Sequence, residues 1–230
     1  MNFRKHTSPE MVGLFNKKPY QGQSPENAKV VFLSSDANYS PEISNHIFFS
    51  YILEYQKDGI VFGEKYGCHH PFLLPNYPFN KNMAGVPFHR NFSKIGLRSE
   101  HAKHISFLEL LDIPTIGNKS ENKKLFYELV SQSHLEYIES LMLGGGNKLF
   151  FVSNGVLKDI VKLKKIYPVF QWLDFHIPDS KQYLKITNGN RIKEIYHFSS
   201  YQIHGQIKEI SIEIDEWLKK TANHQIKAEG

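Results

Sequence analysis

Four polar side chains whose types suit acid–base or hydrogen-bonding chemistry lie at the ends of four short apolar runs. Runs of this kind predict buried β-strands. Two carboxylates and a histidine on neighbouring strand ends have the groups needed to bind a small polar molecule and to activate water. The side chains and their runs are Asp36 after 29–33, Glu109 at the end of 104–109, Ser153 at the end of 148–153, and His197 at the end of 192–197.

Each of these residues also has a purely structural interpretation. An Asp after a strand commonly caps a helix or closes a turn, and Ser40, Pro41 and Glu42 predict a helix start soon after Asp36. A His at a strand end commonly makes one structural hydrogen bond. The functional interpretation therefore depends on the four strand ends meeting at one place.

The segments between the apolar runs read as helices. Apolar residues recur at helical spacing over 41–57 and, in two pieces, over 121–143, and a further helix is capped by Ser153 or Asn154. Helices between strands imply right-handed crossovers, and therefore an α/β/α sandwich of three layers with a central, mainly parallel four-stranded sheet. In such sheets ligands bind beyond the carboxyl ends of the strands, where the four side chains would gather.

Three further segments complete the expected organisation. Residues 1–28 are polar and rich in turn formers, which predicts an N-terminal arm ahead of one domain over 29–230. The aromatic-rich segment 60–85 is predicted to be irregular and functional. A turn at 187–190 predicts a hairpin, and a last amphipathic helix runs from Ile203.

Composition narrows the classes of protein and site. The formal net charge of +5 is compatible with a nucleic-acid partner, although solvated lysine faces give the same value. Cys68 is the only cysteine, which fits a reducing cytoplasm, and no run is long enough to span a bilayer. No phosphate-binding glycine motif is present, and the spacing of His69, His70 and His89 fits no zinc template, so neither a cofactor nor a metal is expected.

The order and spacing of the strand-end motifs resemble the uracil-DNA glycosylase superfamily over about residues 28–218. Its water-activating loop reads Gly-Gln-Asp-Pro-Tyr-His in the best-known branch, and the segment 34–39 is similar, with Asp36 at the third position. A following Gly-x-x-Phe, whose ring stacks on the extruded base, is similar to Gly59–Phe62. The resemblance implies that Phe62 stacks on the base and that Ser35 and Asn38 contribute to base binding.

The later motifs match only in part. Glu109 stands where the family has an Asn that reads the base edge, and the segment 197–201 resembles His-Pro-Ser-Pro followed by a wedge residue, without its prolines. The family's Pro-rich DNA-contacting loop is similar to 86–92. The resemblance thus implies DNA contacts by the residues Pro87, His89, Arg90, Ser153, Ser199, Ser200 and Tyr201, with Tyr201 as the wedge.

The function implied by this resemblance is hydrolysis of the N-glycosidic bond of a flipped-out base by a monomeric, cytoplasmic DNA glycosylase. Asp36 would activate water, and His197 would stabilise charge on the departing base. An ionised Glu109 accepts hydrogen bonds only, which favours a modified or amino-bearing base over plain uracil; a protonated Glu109 would instead donate to a carbonyl. This activity would serve either DNA repair or defence against phage with modified DNA. The alternatives are a non-catalytic binder of nucleic acid or nucleotide and a hydrolase of a small nucleoside-like substrate.

Overall fold

A computed structural model describes residues 2–173, 184–185 and 187–228. Its main sheet has six strands in the order β2-β5-β3-β7-β9-β8, and a small sheet has the order β1-β6-β4. The strands are β1 (Arg4–Lys5), β2 (Tyr20–Gly22), β3 (Val30–Ser34), β4 (Ala37–Asn38), β5 (Ile105–Glu109), β6 (Pro114–Ile116), β7 (Leu149–Ser153), β8 (Leu184–Lys185) and β9 (Arg191–Ile195). The helices are α1 (Pro9–Lys17), α2 (Phe49–Lys57), α3 (Gly59–Tyr66), α4 (Val86–Phe92), α5 (Ser99–Ala102), α6 (Lys123–Glu128), α7 (Gln132–Leu143), α8 (Asn154–Leu163) and α9 (Ile207–Ala228).

The four predicted strands are confirmed as the parallel centre of the main sheet. β5, β3, β7 and β9 pair in parallel, and the antiparallel strands β2 and β8 extend the sheet at its two edges. The sheet therefore has two more strands than the four expected. The β8–β9 pair confirms the hairpin predicted around 187–190.

Alternation along β3 shows how the sheet separates two helical layers. Val31 and Leu33 pack in a core with buried residues of α7 and α8, whereas Val30 and Phe32 pack in another core with residues of α4 and α9. Successive side chains of a strand point to opposite faces, so a run buried throughout requires cover on both sides. The predicted three-layer α/β/α sandwich is confirmed.

The N-terminal segment is not an arm on the surface. Phe3, Met11 and Phe15 are buried, and β2 pairs with β5 to become an edge of the main sheet. Widely spaced apolar residues in a polar segment gave little sign of this burial. The segment up to residue 28 is therefore packed against the rest of the fold.

Two predicted boundaries also shift. After Asp36 the chain first forms β4, and α2 begins only at Phe49, so Ser40 is not the N-cap of a long helix. The segment predicted as irregular from residue 60 starts with α3, because the Asp58 side chain accepts hydrogen bonds from the backbone N–H groups of Ile60 and Val61. Within the segment predicted to be irregular, only residues 67–85 lack an α-helix.

Candidate active site

The carboxyl ends of the central parallel strands open into a cleft of about 940 Å³. Asp36, Glu109, Ser153 and His197 all line it, together with Ser35 and Asn38. In the sheet Ser34 pairs with Glu109, so Asp36 lies two residues beyond a register partner of Glu109. The structure thus brings together the four strand-end side chains that the sequence singled out.

Asp36 is held by hydrogen-bond donors that the small sheet supplies. Thr115, on β6, donates its hydroxyl to Asp36 Oδ2 at 2.5 Å, and β6 pairs in parallel with β4, which follows Asp36 directly. Burial raises the pKa of Asp36, while the hydrogen bond from Thr115, the positive charge of Lys119 and a hydrogen bond from Asn38 oppose that rise. The three favourable contacts stabilise the ionised form.

Glu109 has the opposite environment. Its side chain is 5% exposed, and Oε2 is buried without a hydrogen-bond partner among the described residues. Burial, followed by the negative charge of Asp36, raises the pKa of Glu109 to about 8. The backbone carbonyl of Glu109 accepts a hydrogen bond from His134 Nε2 at 2.8 Å, which anchors the strand end.

The two carboxyl groups therefore have unequal environments. Asp36 has nearby donors and a cation, whereas among the described residues no donor or cation contacts the Glu109 side chain, so repulsion between the two carboxyl groups is relieved by protonation of Glu109. Unequal environments for paired carboxyl groups are a common way to obtain one base and one neutral acid in one site. Of the two, Glu109 is therefore the one favoured as a neutral acid, and Asp36 is the one whose contacts favour ionisation.

His197 is a neutral hydrogen-bond donor facing the cleft. Its Nδ1 accepts a hydrogen bond from the backbone N–H of Ser199 at 3.2 Å, which leaves the ring proton on Nε2. His197 is exposed by surface area, but the surrounding protein atoms and the positive charge of Lys119 lower its pKa to about 4. The ring of Phe88 lies 5.5 Å from the His197 ring, between centroids.

A charged network beside Asp36 was not identified from the sequence. The Lys119 ammonium contacts the Ser35 hydroxyl and the Asp159 carboxylate, and Tyr127 donates its hydroxyl to Asp159 Oδ1 at 2.9 Å. Lys119 begins a short 3-10 helix and Asp159 lies on α8, so no local spacing connects them. The one available signal was that Asp159 follows the Ser153 strand end by less than two helical turns.

The predicted base-stacking role of Phe62 is contradicted by its position. Phe62 is fully buried, with ring centroids 5.5 Å from Tyr55 and 4.6 Å from Tyr66, and it does not line the cleft. Gly59–Phe62 forms the first turn of α3, which packs on α2, and this placement directs the ring into a core. The aromatic side chains that do line the cleft include Tyr39, Phe72, Tyr77, Phe79, Phe88 and Phe107.

Two of the predicted DNA contacts, His89 and Arg90, lie in different environments. His89 lines the cleft but is buried and stacks on His70 with centroids 3.6 Å apart, and burial holds its pKa well below the usual value, so it offers no charge to a phosphate. Arg90 is exposed but lies outside the cleft lining, and it donates to the Lys81 carbonyl and to Asn82.

The other predicted DNA contacts lie at the cleft or on the open surface. The side chain of Tyr201 is 87% exposed at the start of a short 3-10 turn that Ser200 caps, a position open to a partner. Pro87, Ser153, Ser199 and Ser200 line the cleft, although the Ser153 hydroxyl also caps α8.

Neither a metal-binding cluster nor a membrane-spanning helix is found among the described residues. In the part of the chain that the structure describes, no three His, Cys, Asp or Glu side chains are grouped so that they could hold a metal ion. Within the same residues, no helix combines the length and apolar character needed to cross a bilayer.

Comparison with known proteins adds no family assignment. No model of a protein family matches the chain, and no curated protein matches it in sequence.

Proposed function

We propose that this protein is a DNA glycosylase that hydrolyses the N-glycosidic bond of a flipped-out base. The observation that carries the proposal is that Asp36, Glu109 and His197 line one cleft at the carboxyl edge of the sheet, with Asp36 beside hydrogen-bond donors and Lys119 and with burial favouring the neutral forms of Glu109 and His197. These are the groups that such a reaction requires: one for the water, one for the base edge and one for the leaving group.

The reaction can be assigned to these side chains step by step. Flipping the base out of the duplex costs a few kcal/mol and exposes the bond between the sugar carbon and the base nitrogen. As that bond breaks, its electron pair leaves with the base and the sugar gains oxocarbenium character. Asp36 stabilises this cation and accepts a proton from the attacking water, whose oxygen bonds to the sugar carbon. His197 Nε2–H donates to the negative charge that develops on the base.

The state of Glu109 changes what can be expected of the base. An amino-bearing base was expected because an ionised carboxylate only accepts hydrogen bonds. A neutral acid can donate one hydrogen bond and accept another, so it pairs with either a carbonyl or an amino edge. We therefore retain a modified base as the proposed substrate, without requiring an amino group on the edge that Glu109 reads.

The cellular setting is part of the same proposal. We propose DNA as the partner and a monomer in the cytoplasm as the working form, in keeping with the net charge of +5 and the single cysteine. Removal of a modified base serves either repair or defence against phage that carry modified DNA.

Excision assays on oligonucleotides with single modified bases test the proposal. Abasic sites revealed by alkali should form in wild type and should form about 10²–10⁴ times more slowly in Asp36→Asn, because the amide cannot accept the proton from water. The matched control is Glu64→Gln, an exposed carboxylate on α3, which should excise like wild type.

Three results would contradict the proposal. The first is the absence of Asp36-dependent abasic sites across the base series. The second is salt-dependent DNA binding without any excision, which would instead identify a non-catalytic binder. Release of base from free nucleosides but not from DNA would identify a hydrolase of small substrates.

A further inference from the structure

The segment 114–119 contacts the segment 35–39, which contains Asp36, at successive residues. β6 pairs with β4, and hydrogen bonds on both sides of that pair extend the contact. These bonds join Thr115 to Asp36 and Tyr39, Gly117 to Asn38, and Lys119 to Ser35. Lys119 makes the last of these contacts, where the segment leaves the small sheet and begins a short 3-10 helix.

Lys119 brings a positive charge into the cleft. Among the described residues that line the cleft, it is the one lysine or arginine. Its side chain is 28% exposed, and its ammonium donates to the hydroxyl of Ser35, which also lines the cleft. The carboxyl groups of the lining are more numerous and belong to Asp36, Glu42, Glu109 and Glu121. Lys119 is therefore the cation that the described cleft offers to its carboxyl groups.

A second set of contacts fixes the Lys119 ammonium. It forms an ion pair with Asp159 on α8, whose side chain is 13% exposed. Asp159 is fixed in turn, since Tyr127 donates its hydroxyl to Oδ1 at 2.9 Å and Ser35 donates its hydroxyl to Oδ2 at 3.2 Å. Because desolvation offsets much of the attraction in a partly buried ion pair, stability alone does not account for this arrangement.

The charge of Lys119 acts on two groups of the candidate site. Burial raises the pKa of Asp36, and Lys119 opposes that rise. Burial lowers the pKa of His197, and Lys119 lowers it further. Asp159 has the opposite effect on Asp36, because its negative charge raises that pKa. The charged and titratable groups coupled to Lys119 are thus Asp36, His197 and its own partner Asp159.

We propose that Lys119 is a positioning residue for the reaction: anchored by Asp159, it holds the segment that carries Asp36 and keeps a positive charge near that carboxyl group. The inference rests on the proposed glycosylase function and adds Lys119 and Asp159 to the residues on which it depends. Lys119 acts through Asp36, because its ammonium is already engaged by Ser35 and Asp159. A carboxyl group near a fixed cation ionises more readily and is then able to accept a proton from water.

Single-turnover excision measured against pH tests the charge. Lys119→Gln should excise about 10- to 100-fold more slowly than wild type, and the acid limb of its profile should move to higher pH. Lys119→Arg keeps the charge and should keep the wild-type limb. Lys123→Gln is the control, because Lys123 is exposed at the start of α6 outside the cleft lining, and it should match wild type. An acid limb that stays in place in Lys119→Gln, or that moves equally in Lys119→Arg, overturns the role of the charge.

Asp159→Asn tests the anchor. If Asp159 acts through Lys119, the variant that combines Asp159→Asn with Lys119→Gln should be slower than Lys119→Gln alone by no more than about twofold. Losses that multiply in the double variant show that Asp159 acts independently and overturn the anchoring role.

NMR titration of the His197 ring, assigned with His197→Gln, separates this inference from the proposed function. The pKa of His197, about 4 in wild type, should rise by about 0.5 or more in Lys119→Gln and stay in place in Lys119→Arg. If wild type excises no base from any oligonucleotide, the glycosylase proposal fails, while a raised pKa still supports the placement of the Lys119 charge in the cleft. An unchanged pKa in Lys119→Gln overturns that placement whether or not excision occurs.

Discussion

Glu109→Gln should make the protein more stable at neutral and alkaline pH, because it replaces a buried titratable acid with a group that is always neutral. The pKa of Glu109 is raised from 4.5 to about 8 by burial and by Asp36. The folded state therefore binds this proton more tightly than the unfolded state does. The sign follows from proton linkage: stability is greatest near or below pH 4.5 and is lost as the pH rises towards 8, at up to about 1.4 kcal/mol per pH unit.

The size of the effect follows from the same two pKa values. Between pH 5 and pH 8 the wild type should lose about 3–4 kcal/mol of unfolding free energy relative to Glu109→Gln. With a urea m-value of about 2–3 kcal/mol/M, the difference between the two midpoints should grow by more than about 1 M over this range. Histidines that titrate in the same range are common to both proteins and cancel in the difference.

Urea unfolding of both proteins at pH 5, 6, 7 and 8, at constant ionic strength, measures this difference directly. Glu64→Gln serves as the control, since that side chain is exposed and its removal should leave the midpoint difference from wild type independent of pH. If the difference between wild type and Glu109→Gln stays constant within about 1 kcal/mol from pH 5 to pH 8, Glu109 is ionised in the folded protein and its assignment as a neutral acid is refuted.

Three further predictions concern the reaction. Thr115→Val should slow excision about 10- to 100-fold, because Asp36 loses a donor that lowers its pKa. The acid limb of the single-turnover pH profile should therefore move to higher pH. An unmoved limb would refute the role of Thr115 in positioning Asp36. His197→Ala should lower the excision rate about 10²–10³-fold, and His197→Gln should lower it less, because an amide still donates a hydrogen bond. Neither change should alter the pH profile between pH 5 and pH 8, since the pKa of His197 is about 4. Tyr201→Ala should slow excision from duplex DNA while leaving single-stranded substrate unaffected, and equal losses on both would argue against a wedge.

The sheet and the meeting of its strand ends were predictable from the sequence. Parallel strands with crossover helices place their carboxyl ends at one edge, so Asp36, Glu109 and His197 had to converge once the strands were identified. The apolar runs were unambiguous because both faces of the sheet are covered, as Val31 and Phe32 in their separate cores show. The local sequence pattern and the sheet topology therefore pointed to the same cleft.

Side-chain direction was not predictable in the same way. Phe62 matches a Gly-x-x-Phe pattern, yet a helix that starts at Gly59 turns the ring into a core. Lys119 contacts Asp159 across 40 residues, and the residues around Lys119 do not mark it as part of the site. The protonation of Glu109 depends on burial and on the charge of Asp36, which appear only when the strands are side by side. These features arise from contacts between distant segments.

The small sheet explains how two neighbouring carboxyl groups come to differ. Thr115 lies opposite Lys5 in the antiparallel β1–β6 pair and opposite Asn38 in the parallel β4–β6 pair, so the N-terminal strand fixes the residue that donates to Asp36. The backbone N–H of His6 also donates to the Pro114 carbonyl at 2.9 Å, which adds a bond to the same strand. Glu109 lies in the main sheet, and no residue that the structure describes donates to its side chain. Because an acid with donors ionises more readily than one without, the N-terminal segment, although it lies far from Asp36 in sequence, sets which of the two carboxyl groups can act as the base.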